Sequence, residues 1–73
     1  MDFYLAWFDD DRKKSADLKI LEAVAAYERR FRRHPNIVLI NEQDRTDAVA
    51  DVRLRPLSYI RPSTFYVGFE EAA

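Results

Sequence analysis

The sequence contains no cysteine, one glycine and one histidine. Without cysteine there are no disulfides and no thiolate zinc site, and a lone histidine cannot build a purely histidine-based metal site within one chain. The single glycine, Gly68, leaves no glycine-rich loop to cradle a phosphate. No apolar stretch approaches the roughly 20 residues that span a bilayer. The opening residues lack the basic, apolar and small-residue pattern of a signal peptide, and the cysteine-free composition fits a reducing compartment, so the expected location is cytoplasmic. Repeats, linkers and low-complexity segments are also missing.

What is present is a 73-residue chain, 48% hydrophobic, with a formal net charge of −1. This length allows one small domain over residues 1–73. A chain of about 60 residues buries only about 60% of the surface its unfolded form exposes, so such domains commonly draw on a second stabiliser. With disulfides excluded, a good core or self-association is left. The near-neutral charge argues against wholesale polyanion binding but hides a patchy distribution.

The aromatic run Asp2 to Phe8 predicts a strand, with Phe3, Leu5 and Trp7 on one side and Tyr4, Ala6 and Phe8 on the other. Ser15 is a good N-cap and Asp17 suits the positive end of a helix dipole. From Ala16 to about Arg33, the residues Ala16, Ile20, Val24, Tyr27 and Phe31 make one helical stripe. Leu18, Leu21 and Ala25 widen its apolar face, while Lys19, Glu22, Ala26, Arg30 and Arg33 lie opposite. Pro35 disfavours helix at the preceding residue, so the helix should end at His34. The run Asn36 to Asn41 predicts a buried second strand, making a βαβ unit with parallel strands and a right-handed crossover. Thr46 to Ala50 reads as either a helical turn or the start of a strand. Val52 and Leu54 alternate with Asp51, Arg53 and Arg55 in a half-exposed strand. Pro56 and Pro62 bracket an irregular connection, Thr64 to Phe69 form the last strand, and the tail to Ala73 frays. The expected fold is α+β in two layers: one long helix on a three- or four-stranded mixed sheet, ordered β-α-β-β-β or β-α-β-β.

One helix covers one face of that sheet, yet the first two strands are apolar on both. The connection carrying Tyr59 and Ile60 can fold over part of the second face; otherwise a second copy or a partner must cover it. Tyr4, Phe8, Val38 and Ile40 are the candidate interface residues.

Asp9, Asp10 and Asp11 leave the first strand at its carboxyl end, where Asn41, Glu42 and Asp44 leave the second, the usual ligand crevice of parallel strands. Asp9, Asp11, Glu42 and Asp44 are thus candidate ligands for magnesium or calcium. The plainer explanation is electrostatic. Acidic residues before a helix are favoured by its dipole at about 0.3–1 kcal/mol each, and Arg12, Lys13 and Lys14 neutralise them without a metal. No nucleophile or general base is evident to support catalysis: Ser15, Ser58 and Ser63 lack a base partner, and His34 suits a helix end better than a catalytic role.

Arg29, Arg30, Arg32 and Arg33 crowd the end of the helix, Arg53, Arg55 and Arg61 follow, and four tyrosines offer stacking surfaces. Arg29, Arg30, Arg33, Arg53 and Arg55 are therefore candidate nucleic-acid contacts. Cations also stabilise helix C-termini, and the helical arginines fan around more than one side.

The stretches "WFDDD", "KILEAVAAYERRFRRHPN" and "RPSTFYVGFE" resemble a group of short uncharacterised bacterial proteins with FDxD, KIxxAxxxYxxRF and RPxxFxVG motifs. Phe8, Asp9, Asp11, Lys19, Ile20, Ala23, Tyr27, Arg30, Phe31, Pro35, Asn36, Arg61, Pro62, Phe65, Val67 and Gly68 carry the resemblance. It implies a complete small protein and brings no activity, ligand or partner with it. The leading expectation is a non-catalytic protein-interaction module that forms a homodimer or binds another protein. Nucleic-acid binding and a metal-dependent enzyme are the alternatives, and no membrane association is expected.

Overall fold

The computed structural model describes residues 4–47 and 49–71. Expectations for Asp2, Phe3, Ala48, Ala72 and Ala73 lie outside the described residues. Strand β1 (Tyr4–Phe8) is followed by helix α1 (Ala16–Phe31), β2 (Ile37–Ile40), a 3-10 turn at Glu42–Asp44, β3 (Arg53–Pro56) and β4 (Thr64–Gly68). The helix packs on a four-stranded mixed sheet, giving the two-layer α+β fold in its β-α-β-β-β form.

The sheet order is β1-β4-β2-β3. β4 runs antiparallel to both neighbours, β1 and β2, while β3 is parallel to β2. β1 and β2 therefore point the same way, as a βαβ unit requires, but the last strand is inserted between them. β4 lies against the helix, and its burial follows from that central place. Phe65 and Val67 are fully buried, whereas Leu5 and Trp7 on the edge strand are partly buried.

Ser15 caps the helix, its Oγ accepting from the Leu18 amide at 3.4 Å. Ile20, Ala23, Val24 and Tyr27 enter the core with Val38, Ile40, Val52, Phe65 and Val67. Tyr27 and Phe31, one turn apart, pack as tilted rings with centroids 4.6 Å apart. The helix ends earlier than its sequence suggests. Arg32 adopts a left-handed conformation (φ 58°, ψ 33°), with its N–H donating to the Glu28 carbonyl at 2.9 Å. The chain thus turns before His34, ahead of the restriction imposed by Pro35.

The rotation of the helix also differs from expectation. Lys19 and Ala26 are buried, whereas Leu18 and Leu21 are 42% and 44% exposed. The broad apolar sector leaves two ways to seat the stripe. The long stem of Lys19 tolerates burial where its charge can still act on Asp9. No helix among the described residues is long and apolar enough to cross a membrane.

Thr46, Asp47, Val49 and Ala50 lie in neither a helical turn nor a regular strand. Val49 and Val52 bridge across a tight turn whose corners, Ala50 and Asp51, both have positive φ.

Candidate functional site

The strand register sorts the side chains into two faces. Leu5, Val67, Val38 and Leu54 form one row beneath the helix, and Trp7, Phe65, Ile40 and Pro56 the next. The opposite face carries the rows Tyr4, Gly68, Ile37, Arg53 and Ala6, Tyr66, Leu39, Arg55, with Phe8 beside Thr64. This corrects one expectation. Val38 and Ile40 are fully buried in the core, so neither is an interface residue. Ile37 and Leu39 share the face of Tyr4 and Phe8, because every side chain in a strand changes side at each residue; Ile37 is itself fully buried there, and Leu39 is partly exposed.

The uncovered face is shaped rather than flat. Tyr4 lies opposite Gly68, and Tyr66 opposite Ala6, so each large ring on one strand faces a small residue on the other. The connection after β3 folds partway back: Asn41 Nδ2 donates to the Ile60 carbonyl at 2.6 Å, and Ile60 is buried. Between connection and sheet lies a hollow of about 520 Å³ lined by Tyr4, Leu39, Tyr59, Ile60, Arg61 and Tyr66. Tyr59 is 79% exposed at its rim and Phe8 is 55% exposed nearby, with the Arg61 guanidinium 5.5 Å from the Phe8 ring.

Glu70 closes the other side of this face. Its carboxylate accepts from the Tyr4 hydroxyl at 2.6 Å and from Arg55 at 3.2 and 3.4 Å, and Arg53 stands 3.8 Å away. The Tyr4 hydrogen bond, followed by the arginine charges, holds the carboxyl below its usual range. One acid thus ties β1 to β3 across the two strands between them.

The acidic rim is built differently from a metal site. β1 and β2 do deliver Asp9 and Asn41 to the same end of the sheet. Asp9 and Asp11 serve their own loop, and Asp44 serves the neighbouring one. Asp9 Oδ1 accepts from the Asp11 amide at 2.9 Å, and Oδ2 from Lys14 at 3.3 Å. Asp11 accepts from the Lys13 amide at 2.9 Å, and Asp44 from the Ser63 amide at 2.8 Å. The Asp11 amide and then Lys14 hold the Asp9 carboxyl low, while Glu22 and Asp9 raise the Lys14 ammonium. Glu42 is exposed. Among the described residues no group of three acids or histidines is placed to hold a metal, so Asp9, Asp11, Glu42 and Asp44 are not gathered into a ligand set. The cause is the backbone: loop amides left unpaired beyond the strand ends draw in the carboxylates.

The candidate arginines also divide. Arg53 and Arg55 lie on the open face with Glu70. Arg33 stacks on Phe69 at 3.6 Å and Arg30 sits 5.6 Å from the Phe31 ring, both on the helix side. Arg29 and Arg32 border a recess on the outer surface of the helix. The sheet separates these groups, so the five do not form one patch. A second small hollow, about 250 Å³, is lined by Trp7, Lys14, Glu22, Ala25 and Arg29. The Trp7 indole N–H is buried there with no acceptor.

Tyr59, Arg61, Tyr66 and Glu70 are the open-face residues that the candidate sets leave out. Pairing the strand parities of β1 and β4 would have brought Tyr66 beside Tyr4. The return of the connection over part of this face agrees with the sequence expectation for Tyr59 and Ile60. Comparison of the chain with family models, curated proteins and solved structures finds no match.

Proposed function

We propose that this protein is a non-catalytic interaction module that self-associates through the free edge of β1, leaving its open sheet face for a partner. The observation that carries the reading is the difference between the two edge strands. β3 ends the sheet with Arg53, Arg55 and Pro56, three residues of the kind that discourage strand addition. β1 ends it with the uncharged, proline-free run YLAWF.

The Asp9 amide donates to the Ser63 carbonyl of the neighbouring loop. By strand alternation Leu5 and Trp7 direct their backbone groups to β4, and Ala6 and Phe8 direct theirs outward. A second β1 running antiparallel would pair with those groups and be met by the same residues in return, as a two-fold interface requires. The exposed Phe8 ring would be covered in the same step.

Sedimentation equilibrium of wild type and Ala6→Pro tests this reading. The proline removes an outward N–H and leaves the β4 ladder intact, as prolines on edge strands do. Wild type is expected to dimerise with concentration and Ala6→Pro to stay monomeric. Equal association of both chains would set the reading aside.

A further inference from the structure

We propose that the open sheet face binds single-stranded nucleic acid, with bases stacked on Tyr66 and Tyr59 and phosphates held by Arg61, Arg53 and Arg55. This site is separate from the β1 edge and does not depend on self-association.

Three observations point to this ligand class. First, the hollow of about 520 Å³ is walled by three tyrosines, Tyr4, Tyr59 and Tyr66, rather than by aliphatic side chains alone. Aromatic rings accept any base by stacking, and such platforms mark proteins that hold unpaired strands. The small partners Gly68 and Ala6 leave room above the sheet beside each ring.

Second, cations flank the aromatic strip on both sides. Arg61 lies in the wall of the hollow, and Arg53 and Arg55 lie on β3 beyond Leu39. Glu70 is the acid that meets them, and it engages Arg55 closely and Arg53 at 3.8 Å. The face is therefore positive on a chain whose net charge is −1. Charge complementarity calls for an anionic ligand, and the rings call for one with planar faces. An acidic peptide supplies the first without the second, and a second copy would set arginines against arginines.

Third, the helix-end arginines lie on the other side of the sheet from the exposed rings. Arg33 is stacked on Phe69 and Arg30 lies by Phe31, both behind the sheet. The open face, not the helix end, is where cations and exposed rings coincide. A duplex hides its base faces, so an unpaired strand is the form that fits.

Fluorescence anisotropy with labelled oligothymidylate and oligouridylate tests the site, the two probes separating a DNA from an RNA preference. Binding is expected at about 50 mM salt and should weaken steeply toward about 200 mM. Tyr59→Ala, at an exposed residue that the fold does not need, and Tyr66→Phe/Tyr59→Ala serve as the ring variants, the latter keeping a ring at 66 as a control for folding. Loss of one stacked base should weaken binding about tenfold. Arg61→Ala should reduce the salt slope by about one contact. Arg29→Ala/Arg32→Ala should change nothing. No anisotropy change with either probe at low salt overturns the proposal. So does binding that survives Tyr59→Ala but fails in the helix variant. Polyglutamate bound as tightly as the oligonucleotides, with Tyr59→Ala unaffected, would overturn it in favour of an acidic protein partner.

Discussion

Asn36 and Glu70, 34 residues apart in the chain, close a ring of two hydrogen bonds. The Asn36 side-chain amide donates to the Glu70 carbonyl at 2.7 Å, and its oxygen accepts from the Glu70 N–H at 2.8 Å. The side chain continues the ladder between β2 and β4 past its last backbone pair. It also fixes Glu70 where the carboxylate can meet Tyr4, Arg53 and Arg55.

Asn36→Ala removes both bonds and leaves two backbone groups of Glu70 unpaired. At about 0.5–1.5 kcal/mol per hydrogen bond, the expected loss is about 1–3 kcal/mol. Urea denaturation measures it. A loss within error would mean that solvent replaces the ring without cost.

Glu70 and Asp9 contribute to the protein's acid sensitivity, as does Asp17 at the helix start. The Glu70 and Asp9 carboxyls are held below their ordinary values of 4.5 and 3.8. A carboxyl depressed in the folded state stabilises above its unfolded value, and that contribution fades as pH falls through the folded value. The contribution of these two carboxylates should be level above about pH 5 and decline below about pH 4.5. Glu70→Gln and Asp9→Asn should each flatten the decline in denaturation curves recorded across that range.

His34 works in the opposite sense. Its Nδ1 lies 2.9 Å from a Glu28 carboxylate oxygen and its Nε2 lies 2.9 Å from the Ala50 carbonyl. Both partners are acceptors, so only the doubly protonated ring donates to both. Glu28, then the Ala50 carbonyl, raise the imidazolium above its ordinary 6.5, and Asp51 adds to this. A raised value stabilises fully below 6.5 and is lost as pH rises through the folded value. With one histidine in the chain, its ring protons can be followed by NMR without assignment. A midpoint above 6.5 is expected, and a midpoint at or below 6.5 would remove the bridge from helix to turn.

The turn that His34 touches carries its own strain. Ala50 and Asp51 have φ of 56° and 54°, where a Cβ costs energy and an Asn-Gly pair fits best. Ala50→Asn/Asp51→Gly should stabilise by about 1 kcal/mol in urea denaturation, since each left-handed alanine-like residue costs about 1–2 kcal/mol before the unfolded-state entropy of glycine is set against it.

The elements were legible in the sequence because Ala16, Ile20, Val24, Tyr27 and Phe31 repeat at one period and the strands at another. Sheet order was not. Periodicity marks which side of a strand is apolar and says nothing of its neighbours, so the insertion of β4 between β1 and β2 had no signal. In "IVLI" all four side chains are apolar, which left the parity open and put Val38 and Ile40 on the face that Ile37 and Leu39 occupy, where only Leu39 is partly exposed. The helix sector was broad enough to admit Leu18 and Leu21 as well as Lys19, and only contact with the sheet decided between them. The acids of the rim were located at the right end. Their use was hidden because it depends on backbone amides that a sequence does not display.

The most direct measurement is the mass of the wild-type chain by sedimentation equilibrium, from micromolar to millimolar concentration, beside Ala6→Pro. The expected result is a wild-type mass rising to twice that of the monomer while Ala6→Pro holds the monomer value. A wild type that stays monomeric over the whole range contradicts self-association through β1.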